Sequence, residues 1–247
     1  MTELFKIPLT DGSEAIAAHV QAMADLPLVM AQIGLQPSQP TIALVGGANQ
    51  MTTCDDDRLK QFFTTVIGQT AVKMGAAIVD GGTNAGIMQL IGQVHGALNA
   101  NFSLVGVAPF AKMSLPHLCY LPPASALPAP HHTHFILVPG DQWGDESAWL
   151  AKVTTLLSGH SPSVTIVVNG GDVTWNDVIE SVAAQRLTLV LAGSGRTADR
   201  LAMAVQGESD DATANRLVAT GLLKLIRLES DLSQLAQELV KILTCPG

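Results

Sequence analysis

From Thr41 onward the chain alternates between short, unbroken apolar runs and stretches whose apolar side chains recur every three or four residues. TIALVGG, with Ile42, Ala43, Leu44 and Val45 consecutive, predicts a strand covered on both faces. The segment after it sets Leu59, Phe62, Phe63, Val66 and Ile67 on one helical stripe. AAIVDGG predicts a second strand, and Thr83 to Leu98 a second helix with Ile87, Leu90, Ile91 and Val94 in register. SLVGVAP, HFILV, VTIVV and TLVLA predict four more strands, and LKLIRLE a last strand at an edge. A helix is expected from about Asp145 to Ser158, and Ser230-Asp231 caps a C-terminal one. Strand and helix alternate throughout, which predicts an α/β fold with a doubly wound, mostly parallel, Rossmann-like sheet.

Residues 1–40 break this rhythm. They hold a short LFKIPL run and a helical stretch from Gly12 to Ala24, ahead of Pro37 and Pro40. They read as an N-terminal extension packed on the core, with 41–247 as one Rossmann-like ligand-binding domain. Between the third and fourth strands, Pro109, Pro116, Pro122, Pro123, Pro128 and Pro130 mark a loop too long for a plain connection, a candidate lid.

Four of the apolar runs end in glycine turns that lead into helices. These are Gly46-Gly47-Ala48-Asn49, Gly81-Gly82-Thr83-Asn84-Ala85-Gly86, Asn169-Gly170-Gly171-Asp172 and Gly193-Ser194-Gly195-Arg196. In a parallel sheet such turns share the carboxyl edge, where ligands of this architecture bind. Glycine lets backbone N–H groups approach an anion, and each helix start adds partial positive charge. The four turns together predict a nucleotide or phosphosugar site.

Composition narrows the classes. At 247 residues with a net charge of −8, the chain offers no basic stripe to a nucleic acid. No apolar stretch of membrane-spanning length occurs, and the N-terminus is neither basic nor continuously apolar. Cys54, Cys119 and Cys245 fit neither a disulfide framework nor a zinc spacing, and read as reduced thiols in a cytoplasmic protein. Only 14% of residues are charged, which points to an apolar face buried in a homo-oligomer.

Each candidate residue has a structural reading beside the functional one. Asp55, Asp56 and Asp57 either complement a helix dipole or ligate hydroxyls or a cation. Thr83 is placed to cap its helix, and its hydroxyl would face a ligand. Arg196 puts a cation at a helix start, where the dipole disfavours it, so either a phosphate contact or a surface pair with Asp199 or Asp172 explains it. His131, His132 and His134, with His117 in the loop, show no tetrahedral spacing, so no metal is expected. Asp145 and Glu146 read as dipole partners near the same loop, and Trp143 and Trp175 either stack on a ligand or pack the core. The chain lacks a nucleophile elbow, a CxxC pair and the full GxGxxG fingerprint, so acyl transfer, thiol redox and hydride transfer are not expected.

GGTNAG, GVAP, HTHFILV, WGDE, NGGDVTWNDV and GSGRTAD occur in an order that resembles the N-terminal cytosolic (LSDAT/SLOG) region of melastatin-type TRP channels. That region is a Rossmann-like domain whose superfamily includes the Lonely-guy and DprA-type proteins. The match runs from about Thr41 to Arg200, as a free-standing prokaryotic version. The resemblance implies binding or sensing of a nucleotide-derived ligand, ADP-ribose-like or a related phosphoribosyl compound; no bound cofactor is expected. It also implies a ligand role for Thr133 or His134. Asn169 to Asp177 lines up with the PGGxGTxxE motif of the Lonely-guy enzymes: Gly170, Gly171 and Thr174 match, whereas Asn169, Val173 and Asp177 depart.

The expected ligand contacts are therefore Gly46, Gly47, Ala48, Asn49, Gly81, Gly82, Thr83, Asn84, Gly86, Thr133, His134, Gly170, Gly171, Asp172, Thr174, Gly193, Ser194, Gly195 and Arg196. The alternative is a nucleotide N-glycosidic hydrolase with Asp177 or Asp172 as its acid–base group.

Overall fold

The computed structural model describes residues 3–47, 56–115, 119, 122 and 125–244. Nine strands form one sheet: β1 Glu3–Pro8, β2 Glu14–His19, β3 Thr41–Gly46, β4 Ala77–Asp80, β5 Leu104–Pro109, β6 His134–Val138, β7 Ser163–Val168, β8 Leu187–Ala192 and β9 Leu223–Arg227. Their order is β1-β2-β6-β5-β4-β3-β7-β8-β9. All pairings are parallel except β1 with β2. The expected α/β class is observed.

The N-terminal residues are part of this sheet. Glu14–His19 lies inside the stretch expected to be helical, yet β2 pairs antiparallel with β1 and parallel with β6. Ala15, Ala17 and Ala18 are all fully buried between those neighbours. The small side chains let the strand sit close to what covers it, and tertiary pairing overrides alanine's helical preference.

The helices are α1 Leu26–Gln32, α2 Asp56–Gln61, a π-helical segment Phe62–Gly68, α3 Gln69–Met74, α4 Gly86–Ala97, α5 Ser147–Ser158, α6 Asp172–Ala183, α7 Arg196–Val205, α8 Ala212–Val218 and α9 Leu232–Thr244. They cover both faces. On one, Val45, Val79, Val105 and Ile136 pack against α1, α5, α6 and α7 through Leu26, Leu150, Val178 and Leu201. On the other, Ile42, Leu44, Ile78 and Ile166 pack against the π segment, α4 and α9 through Phe62, Phe63, Ile87 and Leu239. A third cluster joins Ile7 and Ala17 of the first two strands to Phe135, Met113 and Leu115.

Helices returning from β3 and β4 lie on one face, and those returning from β6, β7 and β8 on the other. The winding reverses between β3 and β7, which are hydrogen-bonded neighbours. At such a reversal the two following helices diverge and leave a crevice above the carboxyl ends. The crevice here is narrow at its base because the backbones meet. A Cβ on Gly46 would lie 1.9 Å from the Val168 carbonyl oxygen, and one on Gly47 3.0 Å from the Gly170 nitrogen.

Candidate functional site

The crevice is a cleft of about 400 Å³. Gly46 and Gly47 from β3, Gly81, Thr83 and Ala85 beyond β4, and Gly171 to Thr174 at the start of α6 line it. Trp143 and Glu146 from the β6–α5 connection, Asp177 of α6 and Arg196 of α7 complete its functional lining. Three of the four glycine turns thus contribute backbone, and the fourth contributes the arginine.

Few of the turn amides remain for a ligand. Gly82 N–H donates to Asp80 Oδ1 at 2.7 Å, Gly170 N–H to Asn169 Oδ1 at 2.8 Å and Gly193 N–H to Asp199 Oδ1 at 2.7 Å. The Asn169 amide donates to Ser194 Oγ at 2.8 Å. At the start of α7, Thr197 and Ala198 donate to the Gly170 and Asn169 carbonyls, so the turn before α6 caps that helix. At α6 the Thr174 amide closes onto Gly171 O at 3.2 Å. The amides of Asp172 and Val173, in the first turn, have no intrahelical acceptor by the geometry of a helix start.

Arg196 reaches this same helix start. A Cβ on Gly171 would lie 3.1 Å from Arg196 Nη2, so the guanidinium rests over the space that Gly171 leaves empty. Arg196 itself adopts φ +49°, a conformation costly for any residue with a Cβ. Neither Asp199 nor Asp172 forms an ion pair with it among the described residues. Asp199 instead holds the Gly193 amide.

The opposite wall is acidic. Glu146 is only 6% exposed, and its Oε2 accepts the Gly144 amide at 2.7 Å. Burial pushes its carboxyl up to about 7, against the pull of backbone hydrogen bonds, and the neighbouring Asp177 adds to the rise. Asp177 accepts a hydrogen bond from Ser147 Oγ at 2.6 Å. Burial pushes it up to about 6, and the Ser147 bond restrains the rise. Glu146 is a cleft residue that sequence reasoning left as a dipole partner. Its position just past the carboxyl end of HFILV is the signal that marks it.

Several expected contacts lie elsewhere. Thr133 and His134 sit at the amino-terminal end of β6, across the sheet from the cleft. Thr133 Oγ1 exchanges hydrogen bonds with the Leu104 backbone, at 2.9 Å from N and 3.0 Å from O. The His134 ring lies 3.0 Å from Ile33 O, and burial lowers its pKa. These two residues therefore bind β5, β6 and α1 together rather than facing the cleft. Thr83 lines the cleft but does not cap α4, whose N-cap is Ala85 without a side-chain bond. Gly82 is enclosed by Phe135 and Gly106, and the Asn84 amide donates to Leu127 O. Gly86 opens α4, while Gly170, Gly193, Ser194 and Gly195 shape turns behind the cleft wall.

Trp175 lies outside the cleft lining, with Arg200 stacked 4.9 Å over its ring. Ala48, Asn49, Cys54, Asp55, His117, part of the proline-rich loop and Cys245 lie outside the described residues, as does the Asp56 side chain. The described end of that loop reaches the cleft through Ser125 and Ala126.

Beneath the second turn, His132 Nε2 lies 3.0 Å from Asp80 Oδ1 and its Nδ1 lies 3.2 Å from Pro130 O. Both groups are fully buried, and the pair ties the end of β4 to the segment before β6.

A family model described as "SLOG in TRPM, prokaryote" matches residues 39–237. The chain belongs to this family. The chain is also similar to two channel subunits. It is 25% identical over 242 residues to "Transient receptor potential cation channel subfamily M member 2" of Mus musculus and 24% identical over 238 residues to that of Rattus norvegicus. Each match covers 79% of this chain and 16% of the channel subunit, so the chain corresponds to a small part of those proteins. None of the described helices is long and apolar enough to cross a membrane.

Proposed function

We propose that this SLOG domain binds a small nucleotide-derived ligand, ADP-ribose-like or a related phosphoribosyl compound, across the switch-point cleft. The observation that carries the reading is Arg196, strained at φ +49° and with no ion-pair partner among the described residues, reaching over Gly171 at the start of α6. A phosphate there would meet the guanidinium and the first amides of α6 together. The cleft's volume of about 400 Å³ suits a mononucleotide-sized ligand. We infer that the protein is cytoplasmic and acts as a homo-oligomer. The exposed Leu4 of β1 and Ile16 of its neighbour β2 support the second point.

Calorimetry with ADP-ribose, its cyclic forms, AMP and NAD⁺ tests the reading. Micromolar binding that Arg196→Ala weakens supports it. Absence of binding by every ligand at millimolar concentration overturns it, since less than about 4 kcal/mol would then remain.

The two cleft carboxyls favour one second reading, hydrolysis of an N-glycosidic bond. Glu146 and Asp177 titrate close to neutrality, where a general acid or base works best. A product assay on AMP and NAD⁺ decides it: turnover lost in Asp177→Asn supports hydrolysis, and no turnover in the wild type removes it.

A further inference from the structure

The charge within the cleft is divided. The Arg196 guanidinium reaches the start of α6, whereas Asp177 lies six residues beyond Gly171 along that helix, roughly 9 Å along its axis. Glu146 faces the cleft beside Asp177, whose negative charge adds to the cost of ionising Glu146. Asp145 and Asp172 add further negative charge in the adjoining turns.

No basic side chain answers this wall. All thirteen lysines and arginines fall among the described residues, and Arg196 alone of them lines the cleft. Neither Glu146 nor Asp177 takes part in an ion pair among the described residues. Glu146 is more than nine-tenths buried, with backbone amides for its partners. Carboxylates withdrawn from water without a counter-charge are costly, and a cation arriving with the ligand would relieve that cost.

An independent feature specifies what shape of cation fits. Trp143, 37% exposed, lines the same cleft, three residues before Glu146. An indole face attracts a positive charge through its quadrupole, and a flat cationic ring gains stacking as well. A metal ion would make no use of the indole.

Resting on the ligand-binding reading above, we propose that the cleft selects nucleotides whose ring carries a positive charge. A pyridinium nucleotide or an N-alkylated purine nucleotide is the chemical class. The ring would lie on Trp143 with its charge toward Glu146 and Asp177, and the phosphate would sit by Arg196 at the start of α6.

Oxidised and reduced nicotinamide mononucleotide test this directly. They share phosphate, ribose and ring size, and differ in that the pyridinium is positive and the dihydropyridine neutral. Titrations at pH 8 in EDTA keep bridging metal ions out of the comparison. The oxidised form is expected to bind about tenfold more tightly. Glu146→Gln and Asp177→Asn should each shrink that preference, weakening the oxidised form more than the reduced one. Arg196→Ala should weaken both forms alike.

Equal affinity for the two forms, or a preference that survives both carboxamide variants, overturns the ring-charge inference and leaves ligand binding standing. If neither form, AMP nor ADP-ribose binds at millimolar concentration, both readings fall.

Discussion

Ser147 Oγ donates to Asp177 Oδ1 at 2.6 Å, joining the first turn of α5 to the middle of α6. The bond crosses the interface between the two helices that form the acidic side of the cleft. Ser147 is 2% exposed, so water does not compete for the carboxylate there. The hydroxyl therefore fixes the direction of the Asp177 side chain and steadies its ionised form.

Ser147→Ala removes this bond and leaves a buried carboxylate oxygen without its donor. The variant should be destabilised by about 1–3 kcal/mol. Because the bond holds the Asp177 pKa down, its loss should also raise that pKa above about 6. Urea unfolding and a carbon-detected NMR titration of the carboxyl check the two effects. An unchanged titration would show that Ser147 does not orient Asp177.

The two raised carboxyls make stability depend on pH in a defined direction. A folded-state pKa above the unfolded value means that the native protein holds its proton more tightly. Glu146 moves from 4.5 to about 7, so its contribution is complete below about pH 4.5 and is lost as pH rises through 7. Wild type minus Glu146→Gln should therefore lose about 1–3 kcal/mol of stability between pH 4.5 and 8. Melting curves of both proteins across that range measure it. A difference that grows with pH would contradict the burial of Glu146.

Arg196→Gly separates stability from binding. Glycine relieves the left-handed backbone at φ +49°, and its greater freedom in the unfolded chain offsets part of the gain. A net rise of about 0.5–1 kcal/mol is expected. Affinity for a phosphorylated ligand should fall about tenfold, the scale of one charge-assisted contact. Thermal melting with and without AMP reads both at once. A variant that melts lower without ligand would refute the strain.

Arg186 offers a test far from the cleft. It is 3% exposed, donates to Ser163 Oγ, Ala151 O and Thr155 Oγ1, and leaves Nη1 without a partner among the described residues. Burial lowers its pKa to about 10. Met fills much of the same volume without burying charge, so Arg186→Met should cost less than about 1.5 kcal/mol. Arg186→Ala leaves a void and should cost about 2–4 kcal/mol. Chemical denaturation ranks them, and equal losses would mean that packing does not decide this site.

Part of the fold was legible locally. Ile42 to Val45 and Leu189 to Ala192 are continuous apolar runs because both faces of their strands are covered, and that pattern needs no knowledge of partners. Asp231 announced α9 correctly, with Oδ1 accepting the Gln234 amide at 3.0 Å. The segment Glu14–His19 was not legible, because its alanines become strand residues only when β1 and β6 flank them. Short α8, capped by Asp211, was also missed; its seven residues show too little periodicity to stand out.

The site divides in the same way. The glycine turns, the α6 start and Arg196 could be read from residue types and spacing, since backbone approach and helix dipoles are local properties. Thr133 precedes β6 and His134 opens it, which puts both on the amino edge, away from the cleft where the sequence had suggested a ligand role. Glu146 follows that strand and belongs to the other edge. Its altered acidity could not be read from the sequence, because burial by distant elements produces it.

The sequence by itself determined the alternation of strands and helices, the glycine turns at strand ends and the arginine beside one of them. Only the tertiary structure decided which turn amides are already engaged, and that Glu146 and Asp177 share a wall without a basic neighbour. Backbone conformation is set largely by each residue and its near neighbours. Desolvation and charge balance depend on what long-range packing brings within a few ångströms.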